Sequence, residues 1–552
     1  MAIAALKAWF SIALLLSATL TSQAAALEPS GTISKQAPHQ TVHNAAHIFN
    51  ALHSSMRQWG SSINHNGQSF FLASVPAHTQ FYHGTSIDWP VTGMEWLAFE
   101  PEHALLFARR FPPNDTSYAT DSILRKQGPQ KQQREGQDQR TLPTHPAKAR
   151  LLAQEQFLND GRKKPPHHVP SEPGFLHVYR TRHPLRLLYL DGLSAGKTTN
   201  GTLDSQDLIL LQTALPHSPF WDFERAHQLC DLARTSWDGR VDGFLRMEAG
   251  FEVILCEFEK HLDTVRIGRA GGGKEPGFWA AAGDMFSYWR AVTDRYWGIG
   301  GERVKLGYER FVSVYADEDV DLWDGGKAKM PRLGNVSREV REKLKAEVDA
   351  MVMGEPNPWV GLEKGEGVNW QEVVDLIVRR YADRLKFMVG EDVVSQPKDL
   401  HAELDRAVRP FLDYDARDME AEEWRCTTHF LPWDADEDTL AARAVMDVSK
   451  RICGTLLVAH NLTLSAADDS NSMAQGKATM SAKNLKALIE YLDWTVWKEC
   501  GGCGYDEVCF VPIWPYGTKE DHENPGCANA SELVSKTGYW GRIWPPRNET
   551  EG

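Results

Sequence analysis

The segment QFYHGTSIDW, residues 80–89, decides how the N-terminal half of the chain is interpreted. Its aromatic residues followed by a glycine predict a strand that ends near His83, Gly84 and Thr85. A histidine before a glycine at a strand end is typical of an ordinary turn. The same residues, together with Ser86, can also grip a small molecule through backbone, imidazole and hydroxyl contacts. The rest of the chain has to distinguish these two interpretations.

The segments around residues 80–89 predict an α+β fold. SFFLASVP lies before them, and residues 94–99 predict a second buried strand. Pro101, flanked by Glu100 and Glu102, predicts the first turn of a helix. Further strand patterns occur in GFLHVYRT, LRLLYLDG, VDGFLRM and FEVILCEFE.

Changes in composition predict the domain organisation. Residues 45–267 are expected to form one domain, interrupted at about 115–173 by a polar, Pro-rich insertion that is typical of disorder. The Gly-rich segment 268–277 predicts a linker. Helical periodicity then predicts a helical domain over 278–425 and a helical, Cys-rich C-terminal region over 426–552.

The N-terminus predicts export from the cell. Residues 1–26 combine a lysine, a short apolar run and small residues, which is typical of a signal peptide. The apolar run is too short for a membrane anchor. Six N-x-[ST] sequons and eight cysteines agree with an oxidising, glycosylating route, so we expect a secreted glycoprotein with disulfide bonds. The sequons are at Asn114, Asn200, Asn335, Asn461, Asn529 and Asn548.

The charge of the chain limits its partners. The formal net charge is −14, whereas nucleic acids and anionic membranes usually need a basic face. We therefore expect neither a nucleic-acid partner nor an anionic membrane as partner.

Two motifs suggest sites that the details argue against. LDGLSAGKTTNG resembles a phosphate-binding loop, but the position five residues before Gly196 is Asp191, and Gly192 comes one residue too late. Cys500, Cys503, Cys509 and Cys527, with His522 nearby, have the composition of a zinc site. In an exported chain we expect disulfides instead and no bound metal. Their connectivity stays open.

The order of the N-terminal motifs resembles the ADP-ribosyltransferase superfamily, which includes poly(ADP-ribose) polymerases. The resemblance covers residues 75–265 and uses the strand ending in His83-Gly84-Thr85, the strand–helix unit from Trp96 to Phe107, and the strand carrying Glu252. The same segment is also similar to viral and fungal proteins, mostly of unassigned function. The resemblance to the superfamily implies an ADP-ribosyltransferase-like split sheet.

The resemblance also implies roles for individual residues. Glu252 and His83 would be catalytic, with Glu252 stabilising the positive charge that develops on the ribose. Five further residues would contact NAD: Gly84, Thr85, Ser86, Trp96 and Phe107. Trp96 and Phe107 stand where the family has tyrosines, and they can stack but cannot donate a hydroxyl hydrogen bond.

The implied function is NAD-consuming ADP-ribosyl transfer or NAD hydrolysis, with NAD as substrate and an unknown protein acceptor. The alternative is a non-catalytic, secreted, disulfide-bonded interaction protein. In that case His83 only ends a turn, and Glu252 pairs with an arginine such as Arg246. Glu248 and Glu257 are other candidates for the carboxylate.

Overall fold

The computed structural model describes residues 41–110, 172–213, 215–216, 221–271, 282–293, 297–300, 302–323, 330–433, 435–464 and 472–541. The predicted signal peptide and almost all of the predicted insertion at 115–173 lie outside these residues.

The described residues confirm a mixed α+β fold. Its strands are β1 (Ser69–Val75), β2 (Gln80–Thr85), β3 (Glu95–Ala98), β4 (Arg109–Arg110), β5 (Glu172–Pro173), β6 (Phe175–Thr181), β7 (Leu185–Leu190), β8 (Gly243–Glu248), β9 (Gly250–Leu255), β10 (Leu262–Arg269), β11 (Lys305–Ser313), β12 (Glu507–Phe510) and β13 (Gly526–Asn529).

Nine of these strands form one sheet, in the order β10-β6-β2-β3-β9-β8-β7-β1-β11. Within it β7 and β8 run parallel and the other neighbours run antiparallel. Every residue of β1 and β9 is buried, as expected for strands that are covered on both faces. The edge strand β11 comes from outside the segment 45–267, so residues beyond the predicted linker complete the sheet. The domain boundaries themselves stay predictions.

Helices dominate the later part of the chain, as the periodicity predicts. They are α1 (Ala45–Ser54), α2 (Gln58–Ile63), α3 (Pro101–Leu105), α4 (Asp222–Thr235), α5 (Phe258–His261), α6 (Ala282–Thr293), α7 (Arg338–Val352), α8 (Pro358–Lys364), α9 (Trp370–Met388), α10 (Glu391–Val394), α11 (Pro397–Val408), α12 (Met419–Thr428), α13 (Leu440–Thr463), α14 (Ser472–Leu492), α15 (Lys519–Glu523) and α16 (Ala530–Leu533).

Local signals explain where several helices begin. Pro101 occupies the first turn of α3, as predicted. The side chains of Ser337, Asn369 and Thr439 accept backbone N–H groups at the starts of α7, α9 and α13. The buried stripe of α13 packs against α1, α11, α12 and α14, which joins the helical part of the chain to the first helix.

All eight cysteines form disulfides, which confirms the expected disulfide bonding. The pairs are Cys230–Cys256, Cys426–Cys453, Cys500–Cys509 and Cys503–Cys527. The four tail cysteines are therefore bonded to one another, and in this state they offer no thiolates to zinc.

Among the helices in the described ranges, none combines the length and apolar character that a bilayer span requires.

Candidate functional site

His83 lies on β2 and is enclosed by protein. Its Nδ1–H donates to the carbonyl oxygen of Trp96 at 2.8 Å, and its ring makes edge contacts with His177 and Phe258. Burial lowers the pKa of His83 to about 4, although the bond to Trp96 partly opposes this, so the imidazole is neutral near pH 7. His83 therefore resembles a buried core histidine.

The residues after His83 leave no room for a ligand beside Gly84. A Cβ atom at Gly84 would lie 1.8 Å from the carbonyl oxygen of Ala104 and 2.8 Å from the nitrogen of Ala108. This part of β2 is therefore covered by the backbone of α3 and of the turn that follows it. Thr85 and Ser86 are buried as well.

Trp96 and Phe107 make their ring contacts with different residues. The Trp96 ring packs edge-on against Phe223, with their centroids 4.7 Å apart. Phe107 is 52% exposed and lies 5.9 Å from the ring of His103.

Glu252 lies on β9 and pairs with an arginine, as the alternative interpretation predicted. Its Oε1 accepts hydrogen bonds from Arg246 Nη2 at 2.7 Å and Arg246 Nε at 3.2 Å. Arg246 is fully buried and also donates to both oxygens of Asp222 and to Gln206.

The register of the sheet places the His83 and Glu252 side chains on opposite faces. Tyr82 pairs with Ala98, and Ala98 pairs with Glu252. Residues directly opposite in a ladder project to the same face, whereas consecutive residues project to opposite faces. Glu252 therefore shares a face with Tyr82, and His83 points the other way. One cleft on a single face cannot use both side chains.

Glu252 belongs to a buried ionic cluster, which we define as Lys197, Asp222, Arg246, Glu248 and Glu252. Lys197 Nζ lies 2.5 Å from Glu248 Oε2 and 3.5 Å from Asp222 Oδ2. Lys197 comes from the segment that resembles a phosphate loop, and its ammonium also lies 5.3 Å from the ring centroid of Trp514. The cluster therefore ties the segment after β7 to α4, to the β8–β9 pair and to the C-terminal region.

Burial and neighbouring charges shift the pKa values of two carboxyl groups of the ionic cluster in opposite directions. For Glu248, burial dominates over the attraction of Lys197 and raises the pKa to about 7. For Asp222, burial acts in the same upward direction, but the charges of Arg246 and Lys197 outweigh it and lower the pKa to about 2. The members of such a network depend on one another, because removing one of them leaves an opposite charge buried without a partner.

A different set of residues surrounds a cavity of ≈ 60 Å³, which we call the Asp191 pocket. It lies where the segment after α2 meets the turn that follows β7. Gly192 has φ +68, and a Cβ there would lie 2.3 Å from the nitrogen of Gly67. Glycines at these two positions therefore let the two turns approach. The polar side chains that line the pocket include His47, Asn50, Ser54, Ser61, Asn64, Asn66, Asp191 and Asp493.

Asp191 is the buried acidic group of this pocket. Its Oδ1 accepts the backbone N–H of Ser69 at 2.8 Å, and its residue is 7% exposed. Burial raises the pKa of Asp191 to about 7, and the hydrogen bonds that oppose this come from Ser69, Gln68 and its own backbone. Within the described ranges, Asp191 makes no ion pair with lysine, arginine or histidine.

Aromatic rings cover another side of the Asp191 pocket. The His47 ring stacks on Tyr315 with a centroid distance of 5.0 Å and lies 4.9 Å from the ring of Trp323. Burial lowers the pKa of His47, and the charge of Asp493 only partly opposes this. The pocket thus combines neutral aromatic surfaces, amides and carboxyl groups.

A second concavity of ≈ 370 Å³ is more open, and its lining includes residues 76–80, Tyr82, Glu302 and Arg303. Neither concavity is lined by His83 or Glu252.

The sequence interpretation missed the Asp191 pocket. In the sequence, Asp191 and Gly192 stand out only for the failed match to a phosphate loop, although an Asp-Gly pair directly after a buried strand is typical of a turn. His47, Tyr315 and Asp493 are far apart in the chain, and no local pattern connects them.

Comparison with known proteins identifies relatives of the N-terminal part. A family model described as "YPL277C N-terminal domain" matches residues 38–267. "Uncharacterized protein YOR389W" and "Uncharacterized protein YPL277C", both from Saccharomyces cerevisiae, are each 32% identical over 230 residues. These matches cover 41% of this chain but only 33% and 42% of the two yeast proteins, so the chain spans less than half the length of either. No solved structure matches the chain. Residues 38–267 are therefore similar to the N-terminal domain of uncharacterised fungal proteins.

Proposed function

We propose that the protein is an exported, disulfide-stabilised binding protein and that its ligand occupies the Asp191 pocket. One observation carries this proposal: a buried carboxyl group without an ion-pair partner in the described residues lines an aromatic- and amide-lined cavity. Concave sites with a few convergent polar groups and a shifted pKa are the usual form of a ligand site.

The contacts of His83 and Glu252 favour binding over NAD chemistry. Catalysis of the kind that the resemblance implies needs both side chains at one sugar. Here Glu252 neutralises Arg246, and His83 donates to a backbone carbonyl on the other face of the sheet. NAD consumption is the competing proposal, and one assay separates the two.

The assay combines NAD turnover with ligand binding. We expect purified protein to release no more nicotinamide from NAD than a heat-denatured sample does, with or without added acceptor proteins. We also expect at least one of three small polar compounds, ethanolamine, ethylene glycol and glycolate, to raise the thermal unfolding midpoint of the wild type and not that of Asp191→Asn. Nicotinamide release that Glu252→Gln abolishes would overturn the proposal in favour of NAD consumption.

Export makes a prediction about the sequons. Asn335 is exposed, whereas the side-chain amide of Asn200 donates to the carbonyl oxygen of Tyr539 at 3.0 Å. A glycan attaches to that same amide nitrogen, so the folded chain disfavours Asn200. After expression through a secretory host, Asn335→Gln should lower the mass by one glycan and Asn200→Gln should not. An unglycosylated Asn335 beside a fully occupied Asn200 would contradict this prediction.

A further inference from the structure

We propose that the ligand of the Asp191 pocket is a small primary amine in its ammonium form. This inference rests on the proposed function and adds the chemical class of the ligand. The carboxyl groups, the aromatic surfaces and the size of the pocket support it.

The buried carboxyl group of Asp191 lacks an opposite charge among the described residues. A carboxylate is costly to bury unless hydrogen bonds and an opposite charge compensate it. Asp191 receives hydrogen bonds from Ser69 and Gln68, but no cationic side chain of the described residues pairs with it. An ammonium group in the pocket supplies both the opposite charge and N–H donors.

The electrostatic surroundings of the pocket are negative. Asp493 also lines the pocket, and it is exposed, so a carboxylate lies on the solvent side as well. The formal net charge of the chain is −14, which favours the approach of cations. An anionic ligand would meet repulsion from both carboxylates.

One side of the pocket is aromatic. Tyr315 and Trp323 offer ring surfaces, and ring faces attract organic cations. His47 stacks on Tyr315 and lies beside Trp323, and its lowered pKa keeps it uncharged near pH 7, so it does not repel a cation. A bare metal ion gains less from such walls, because hard cations prefer oxygen ligands.

The volume limits the size of the ligand. A cavity of ≈ 60 Å³ corresponds to about four to six water positions, so a ligand of about four non-hydrogen atoms fits. Affinity per atom has a ceiling, and for this size the dissociation constant is expected to be on the order of 0.1 mM or weaker.

Three compounds of similar size test the ligand class by isothermal titration calorimetry: ethanolamine, ethylene glycol and glycolate. They share a hydroxyl-bearing two-carbon frame and differ in charge. We expect ethanolamine to bind at least tenfold more tightly than ethylene glycol, and glycolate not to bind. Asp191→Asn should weaken ethanolamine at least tenfold. Asparagine can still accept the Ser69 N–H, which favours retention of the fold.

Two further variants separate recognition from misfolding. Trp323 is partly exposed, and Trp323→Ala should weaken the binding of ethanolamine about fivefold, because the ring surface is lost. Asp231→Asn changes an exposed carboxylate that does not line the pocket, and it should bind ethanolamine like the wild type.

The outcomes distinguish the two proposals. If ethylene glycol or glycolate binds in an Asp191-dependent way and ethanolamine does not, the amine inference fails while the proposed binding function stands. Equal binding of ethanolamine to the wild type and to both pocket variants would also overturn the amine inference. If none of the three compounds binds, the amine inference fails, and if NAD is consumed as well, the proposed binding function fails with it.

Discussion

Replacing Arg246 by methionine is expected to lower the free energy of unfolding by about 3–5 kcal/mol. Arg246 is fully buried, and its guanidinium contacts the carboxylates of Asp222 and Glu252. Methionine fills similar space but removes the charge, so two buried carboxylates lose their shared partner. Urea unfolding of the wild type and the variant at pH 7 measures the difference.

A matched control is available on the surface. Arg234 pairs with Asp231 at 2.6 Å, but its side chain is 72% exposed. Because solvent screens such a pair, Arg234→Met should cost no more than about 1 kcal/mol. If Arg246→Met and Arg234→Met have the same small effect, the ionic cluster is not the buried network described above. If adding Asp222→Asn and Glu252→Gln to Arg246→Met recovers part of the loss, the unpaired charges are its cause.

The second large effect is expected at Gly84. Gly84→Ala should cost about 3 kcal/mol or more, because the new Cβ would lie 1.8 Å from the carbonyl oxygen of Ala104 and α3 must move. The φ angle of Gly84 is not in the left-handed region, so the loss measures the close approach of α3 rather than backbone strain. Thermal and urea unfolding measure it.

Gly334 provides the comparison for Gly84. A Cβ at Gly334 meets nothing within 4 Å, so Gly334→Ala should change stability by less than about 1 kcal/mol. A well-tolerated Gly84→Ala would mean that the face of β2 beside Gly84 is open. That open face is what the NAD-binding interpretation of residues 80–89 requires.

The sequence predicts the elements of this fold well. The strands at Gln80–Thr85 and Gly250–Leu255 and the helix start at Pro101 were all expected from local patterns. These patterns are local because hydrophobic periodicity and proline act within a few residues. The sequence also predicts that the cysteines form disulfides, since an even number of cysteines and a predicted export signal suffice for that expectation.

The sequence predicts the candidate site poorly. It suggested Arg246 as an example of an arginine that could pair with Glu252. It could not place Lys197 beside Glu248, nor His83 and Glu252 on opposite faces. A strand shows which residues alternate, but the face that each occupies depends on the register with its neighbours.

The sequence alone therefore determined an α+β fold, its main strands and helices, and the disulfide bonding of its cysteines. Only the tertiary structure decided which cysteines pair, that α3 covers Gly84, and that Asp191 meets His47, Tyr315 and Asp493 around one cavity. The reason is physical: helices and strands follow from contacts within one segment, whereas a pocket follows from the packing of segments hundreds of residues apart. Residues 80–89 thus form the strand that the sequence predicted, and the packing around them makes that strand part of the core.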